Sequence, residues 1–302
     1  MSTPDPAKLA DAEIIIIGGG IIGCSIAYGL AKLGKKDVLL LEKSGLTHGS
    51  SWHAVGMVGA LRANKNYTRM NSLGFELYSQ IEAETGLSPG WRGTGSMRLA
   101  SSDFRWREIR RQAALAKAFG FPIELLGPNE IKAKCPIIDI SGVKGAAFMP
   151  TDGYVEPHSV TMAIAKGARM RGARLVEGVR VTGIERNGRR MTAVVTDHGT
   201  FRCDTLVIAA GTWSNRVGRM AGVDIPAGGV LHQYMVSEPV VDLPKDIPGF
   251  RDPDNQFYLD PQASGRIALG GFEDKTYPFN PPWEFGRELV PEDMERLEQV
   301  VT

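Results

Sequence analysis

Cysteine is scarce. Only Cys24, Cys135 and Cys203 occur in 302 residues, and no two of them form a Cys-x-x-Cys pair. That spacing suggests neither a zinc site nor a disulfide framework, so no metal is expected and a reducing compartment fits. Net charge is equally scarce: 35 Lys and Arg stand against 34 Asp and Glu, which leaves a formal +1. Without a long-range field, nucleic acid and anionic membranes are poor partners. Long apolar runs are absent too. The first, Ile14 to Ile17, breaks into glycines and is too short for a signal-peptide core or a membrane span. Met1 to Ala12 lacks the arginine-rich amphipathic character of a transit peptide. The expected compartment is the cytoplasm, or the mitochondrial matrix if the source is eukaryotic. No repeat, low-complexity tract or Gly/Ser-rich linker divides the chain, so its lobes are expected to interleave.

What is present is the composition of a folded protein, 43% hydrophobic and 23% charged. Ile14 to Ile17 shows no alternation, as in a central parallel strand covered on both faces. Ile22, Ile26, Leu30 and Leu33 follow at helical spacing, and Gly34 supplies a stop before a second apolar strand, Val38 to Leu41. Met70, Leu73, Leu77 and Ile81 mark another amphipathic helix. From Trp91 to Pro150 the pattern is mixed, with alternation over Ser96 to Ala100, a charged helix over Arg105 to Phe119 and a helix cap at Asn129. Ser159 to Arg171 reads as a helix. Arg174 to Val181 and Arg189 to Val195 read as a hairpin turned at Asn187-Gly188. Asp204 to Ala210, Val230 to Val236 and Arg266 to Gly271 read as further strands. Pro291 to Thr302 carries the helical positions Met294, Leu297 and Val300 or Val301 without a stop signal, which reads as a chain cut inside an element.

Gly18-x-Gly20-x-x-Gly23 sits between the first strand and the first helix. Gly18 permits the tight turn, Gly20 lets backbone approach a pyrophosphate, and Gly23 lets the helix pack closely on the strand. The phosphates would rest on free N–H groups at the helix start. Glu42 ends the second strand, where a carboxylate accepts hydrogen bonds from both hydroxyls of an adenosine ribose. NAD and FAD both suit this fingerprint. The choice falls on FAD because Asp204 to Ala210 ends in Ala209-Ala210-Gly211 after a β-meander over Val179 to Val195, the arrangement of the glutathione-reductase type of FAD fold. The fold expected is therefore α/β: a glutathione-reductase-type FAD-binding lobe built on the βαβ unit, residues 1–92 and 149–222, interleaved with a substrate lobe on a mainly antiparallel sheet, residues 93–148 and 223–302, and truncated.

A third signal is Gly49-Ser50-Ser51-Trp52-His53-Ala54-Val55-Gly56, a histidine among small residues just beyond Glu42. Here the chain resembles the dimethylglycine dehydrogenase and sarcosine dehydrogenase family, whose flavin is attached to the His of a Gly-Ser-Thr-Trp-His-x-x-Gly segment; Ser51 replaces the Thr and keeps its hydroxyl. The resemblance continues at Gly95 to Ala100, Asp152 to Pro157, Ser159 to Ala163 and His232-Gln233-Tyr234. It implies FAD bonded through a ring nitrogen of His53 to the 8α-methyl carbon, with Ser50, Ser51, Trp52, Gly49 and Gly56 around it. Ile21, Ile22, Lys43, Met57, Val181 and Gly211 complete the expected cofactor contacts. It also places His232 and Tyr258 at the substrate site, Tyr258 preferred over Phe257 for its hydroxyl. His158 and His198 match no motif and read as structural.

The reaction implied is oxidation of the N-methyl C–N bond of a small secondary or tertiary amine, such as dimethylglycine or sarcosine, by hydride transfer to the flavin. The iminium then hydrolyses to formaldehyde, or is captured by folate where a longer chain carries a folate domain. The electron acceptor and oligomeric state are open. Two other readings stand beside it: a glycine or D-amino acid oxidase-like enzyme that makes hydrogen peroxide, and a non-catalytic FAD-binding fragment or subunit. Family members carry a further flavin-lobe segment that these residues lack, so turnover by the 302 residues alone is not expected.

Overall fold

The computed structural model describes residues 5–62, 64–272 and 275–301. Met1–Pro4 of the leader reading, Thr302 and the side chains of Val300 and Val301 lie outside the described residues. β1 (Ile14–Ile17), α1 (Ile21–Lys32) and β2 (Val38–Glu42) form the βαβ unit. The strand Thr205–Ile208 pairs with β1, and Arg174–Glu177 pairs with β2, giving four parallel strands. The isoleucine run does not alternate because both sides of the sheet are covered. Ile14 and Ile16 pack with Cys24, Ala27 and Val160, while Ile15 and Ile17 pack with Val179, Val194 and Phe201.

The helical stripes differ from expectation. Ile22 is 62% exposed and Leu33 84% exposed, whereas Gly23, Cys24, Ala27, Tyr28 and Ala31 are buried. Ile26 and Leu30 do pack against this core, half-buried, while the close seat of α1 on the sheet and on the helix Pro157–Met170 gives the most buried positions mainly to small residues. In the helix Lys65–Thr85, Ile81 is buried as expected, but Met70 and Leu73 face solvent and Thr68 and Phe75 face the core. Asn64 caps this helix by accepting the Tyr67 N–H at 3.0 Å, and Gly86 ends it in the left-handed conformation.

Arg174 to Val181 is two elements. Arg174–Glu177 belongs to the parallel sheet, and after a turn at Gly178 the strand Val181–Asn187 starts a meander with Arg190–Thr196 and Gly199–Arg202, the first turn falling at Gly188-Arg189, one residue beyond the expected Asn187-Gly188. Val230 to Val236 is likewise divided. Gly229–Leu231 pairs with Tyr277–Phe279, and Tyr234–Val236 joins a different sheet. Between them the Gln233 side chain is held by the backbone of Asp293, whose N–H it accepts at 3.1 Å.

The largest sheet has seven strands in the order Tyr234–Val236, Ile267–Gly271, Phe257–Pro261, Gly249–Asp252, Ser96–Ala100, Gly145–Met149 and Glu124–Leu126. Only the pairing of Gly249–Asp252 with Ser96–Ala100 is parallel. Met97, Leu99, Phe148 and Phe250 pack one face against the helix Pro128–Lys134, and Ala100, Ala147 and Met149 pack the other against Asp103–Ala118. Pro128–Lys134 is capped at Gly127, whose N–H donates to Glu130 at 2.7 Å; Asn129 lies inside its first turn instead of capping it.

Asp260 on the third of these strands is 1% exposed, and burial pushes its carboxyl up to about 7 against the pull of Gln262 and Arg251. From roughly pH 4 to pH 7 the folded chain holds a proton that the unfolded chain has released, so stability should fall as pH rises through that window. Asp260→Asn should abolish this slope and melt several degrees above wild type on the alkaline side. Thermal unfolding across the window tests it; parallel curves for the two proteins would show that Asp260 is not the group responsible.

Candidate cofactor site

The turn after β1 is built on close approaches. Gly18 has φ +114°, and a Cβ there would overlap the carbonyl of Ala209 on the neighbouring strand. A Cβ on Gly23 would overlap the carbonyl oxygen of Gly18, so only glycine lets α1 rest on the turn that starts it. Gly20, the helix cap, has no side chain to satisfy the first N–H groups, and the Ile21 N–H is met by Ser51 Oγ at 2.9 Å. The helix therefore presents an open, electropositive end. Above it lies a cavity of about 460 Å³ at the carboxyl ends of β1, β2 and Thr205–Ile208. Ligands of open parallel sheets bind at this edge.

Glu42 forms part of the cavity wall although its side chain is buried. One oxygen accepts the Gly19 N–H at 2.7 Å and the other accepts the Ser44 N–H at 2.9 Å. Burial raises its pKa, and these two N–H donors oppose the rise. Beside it, Lys43 lies 4.4 Å over the Trp213 ring and donates to the Phe285 carbonyl at 2.8 Å. Burial lowers the Lys43 pKa, with Glu42 and Glu288 pulling it back. A glycine cradle, a helix end without a side-chain cap and a carboxylate at the end of the second strand fit the pyrophosphate and ribose of a dinucleotide such as FAD.

The family model for FAD dependent oxidoreductases matches residues 13–302. The chain belongs to that family. Human dimethylglycine dehydrogenase (Homo sapiens, mitochondrial) is 35% identical over 297 residues, which cover 95% of this chain and 34% of that protein. Mitochondrial sarcosine dehydrogenase of Mus musculus is 35% identical over 276 residues, covering 89% of this chain and 30% of that protein. The chain thus spans about a third of the length of these curated relatives. Among solved structures, L-proline dehydrogenase from P. horikoshii superposes with a TM-score of 0.86 at 29% identity, covering 97% of this chain and 75% of that one.

In this member of the family, the cavity wall gathers Gly18, Gly20, Ile21 and Ile22 from the first turn and the start of α1, Glu42 and Lys43 from the end of β2 and just beyond it, and Gly49, Ser50 and Ser51 from the following loop. Val181 and Gly211 join from the meander and from the end of the second motif. Gly23 stands behind the wall, in the packing position expected of it. Trp52, His53, Gly56 and Met57 are not in the wall, although Ala54 of the same loop is. The Trp52 ring lies beneath the Arg287 guanidinium, 4.3 Å away, and a Cβ on Gly56 would overlap the Val155 carbonyl. Met57 pairs with Tyr154 in a short antiparallel ladder. His53 Nδ1 is 2.8 Å from the Gly49 carbonyl, Nε2 is 3.1 Å from that of Glu288, and the ring stacks on Phe285.

His232 and Tyr258 do not line the cavity. His232 is exposed just before Tyr234–Val236, whose first residue pairs with Gly270, and Gly270 pairs on its other side with the buried Tyr258. The two therefore share one end of the seven-stranded sheet. Among the wall residues that the sequence reading did not assign to the site are His48, Arg180, Trp213 and Trp283. Burial, with Arg287 and Lys43 nearby, lowers the His48 pKa. Trp213 follows the Ala209-Ala210-Gly211 signal by two positions and was within reach; Trp283 arrives from a distant loop without a local signal. His158 accepts or donates a 3.0 Å bond with Thr47 Oγ1, as a structural histidine would. Among the described residues, no group of three or more His, Cys, Asp or Glu could hold a metal, and no helix is long and apolar enough to cross a membrane.

Two glycines of α1 separate packing from propensity. Gly23→Ala should lower the melting temperature and lose bound FAD, since the new methyl group meets backbone that cannot move aside. Gly29→Ala has nothing within 4 Å of its new Cβ and should stabilise the helix by about 1 kcal/mol. Thermal unfolding and flavin absorbance of the two purified variants check both; an inert Gly23→Ala would mean that α1 does not need its close seat on the turn.

Proposed function

We propose that the chain is the FAD-binding part of an enzyme that oxidises the N-methyl C–N bond of a small secondary or tertiary amine of the dimethylglycine or sarcosine type. The observation that carries this reading is similarity over nearly the whole chain to dimethylglycine dehydrogenase and sarcosine dehydrogenase. Gly20, the start of α1 and Glu42 would hold the pyrophosphate and ribose of FAD. FAD, when bound, supplies the acceptor for a hydride from the methyl carbon. The C=N bond left behind adds water and separates into formaldehyde and the demethylated amine. A neutral amine releases hydride more readily, so His232 is assigned to take the amine proton, and Tyr258 to orient the nitrogen with its hydroxyl. The lobe boundaries, the reducing compartment and an electron acceptor other than oxygen belong to the same proposal.

Covalent attachment through His53 belongs to it as well. A neutral imidazole has one N–H and one lone pair. With the Nδ1 hydrogen donated to Gly49, the nitrogen left to bond carbon is Nε2, which now faces the Glu288 carbonyl. That contact pits lone pair against lone pair unless the ring is protonated, so Nε2 is the easier of the two to free.

Two measurements test the reading. Full-length protein supplied with dimethylglycine should release formaldehyde in proportion to amine consumed, without matching hydrogen peroxide; stoichiometric peroxide would move the enzyme to the oxidase class. After acid precipitation, flavin should stay in the pellet on the peptide that contains His53, and His53→Ala should release it to the supernatant. Free release from wild type would remove the covalent bond from the proposal and leave the amine oxidation standing.

A further inference from the structure

The helix Asp103–Ala118 carries more positive charge than the fold around it uses. Arg105 is neutralised where it stands, by Glu108 and by Asp254 at 3.2 Å. Arg107, Arg110, Arg111 and Lys117 are exposed, and among the described residues their side chains have neither a hydrogen bond nor an ion pair. Their spacing places all four on one stripe of the helix, where neighbouring like charges repel. The acidic side chains of the same helix and of the adjacent strand Glu124–Leu126 are engaged elsewhere. Asp103 faces Lys144 at 3.5 Å, Glu108 is shared by Arg105 and Gln112, and Glu124 faces Lys134 at 3.7 Å.

The cationic stripe forms one side of a groove of about 460 Å³, and Leu125 stands on the other. Register explains its position. Leu125 pairs with Ala147, which lies under the helix, so Leu125 projects from the same face of the seven-stranded sheet, just beyond the helix. It is 38% exposed and, with Ala113 and Ala114, gives the groove an apolar lining among the cations. The strand Glu124–Leu126 is also the last of its sheet: it pairs with Gly145–Met149 on one side and with no strand of the described residues on the other. Such an edge leaves backbone N–H and C=O groups open to a further strand.

We infer that this groove is the docking surface for a short, extended, acidic segment of a partner protein. Its carboxylates would meet Arg107, Arg110, Arg111 and Lys117, an apolar side chain would rest on Leu125, and its backbone would run along the free strand edge. Long polyanions suit the groove less. With a formal charge of +1 the chain has no field to gather them, and none of the lining side chains is an aromatic on which bases could stack. A concave strip also makes poor contact with a flat bilayer. The inference is independent of the amine-oxidation reading, because this helix packs on the seven-stranded sheet and contributes no residue to the cofactor cavity.

The test uses the full-length, FAD-loaded protein and a fluorescein-labelled peptide of glutamates flanking a single leucine, with the glutamine version as its neutral counterpart. Wild type should bind the acidic peptide and not the neutral one, more weakly as salt is added, and the bound peptide should raise the melting temperature. Arg110→Gln/Arg111→Gln should lose affinity roughly tenfold. Leu125→Ser should lose affinity with every charge intact. Arg189→Gln/Arg190→Gln, on the exposed meander turn, removes the same net charge elsewhere and should bind as wild type does. Absence of binding to wild type, a groove variant that binds as wild type does, or an equal loss in the meander variant overturns the inference. So does tighter binding of single-stranded DNA or of phosphatidylserine vesicles through the same arginines, which would give the groove a different occupant.

Discussion

The contact between α1 and the turn beneath it, where Gly23 meets the carbonyl of Gly18, is the constraint from which the rest of the site follows. It is a steric condition: with any side chain at position 23 the helix must lift from β1. Only at that distance does the start of α1 stand over the end of the sheet, with Ser51 reaching Ile21 and Glu42 reaching Gly19. These two hydrogen bonds tie the turn to β2 and to the next loop, so the cavity wall is one hydrogen-bonded unit. The inward residues of α1 are small for the same reason. Cys24, Ala27 and Ala31 give up side-chain area and gain proximity, and the area is recovered from Tyr28 and from the sheet's isoleucines.

Buried charge divides the molecule into parts that are complete and parts that are not. Asp252 shows the complete kind: it accepts from Ser101 Oγ at 2.6 Å, Asn255 Nδ2 at 2.7 Å and the Asp254 N–H at 3.0 Å, which together staple a turn. Glu42 and Asp152 are each met by two donors. Such networks cost little because each oxygen finds the hydrogen bonds it left behind in water. Arg98 is of the other kind: its Nη1 donates to Gln112 at 3.0 Å, while its Nε is buried without a hydrogen-bond partner.

Local chemistry was legible in the sequence, and juxtaposition was not. The glycine turn, the meander turn at Gly188, found within one residue of its expected place, and the position of Glu42 each follow from residues within one βαβ or hairpin unit, where spacing and backbone preference decide. The stripes of α1 and of Lys65–Thr85 held at Ile26, Leu30, Leu77 and Ile81 and misled at their other positions for a physical reason. Periodicity finds the largest apolar side chains, whereas a close helix contact buries the smallest ones, so Ile22 and Leu33 stay outside while Ala27 goes in. Trp283 in the cavity wall and Arg251 beside Arg98 depend on strands and loops far apart in the chain. No periodicity could bring them together, because their neighbours are set by how the sheet is ordered and not by what precedes or follows them.

That dependence reaches the cofactor site itself. The segment from Asn280 to Glu288 lies against the lobe made by the first part of the chain and is held mostly through its backbone carbonyls. Lys43 donates to Phe285, Trp213 donates to Pro282 at 3.1 Å, and Arg216 donates to Asn280 at 3.3 Å. Arg287 meanwhile stacks on Trp52 and reaches Thr47 at 3.3 Å. The early residues can form the glycine turn by themselves, since its bonds are local, but they cannot enclose the cavity. The cavity is therefore complete only where an early and a late part of the chain have met, and a ligand that touches both favours that state.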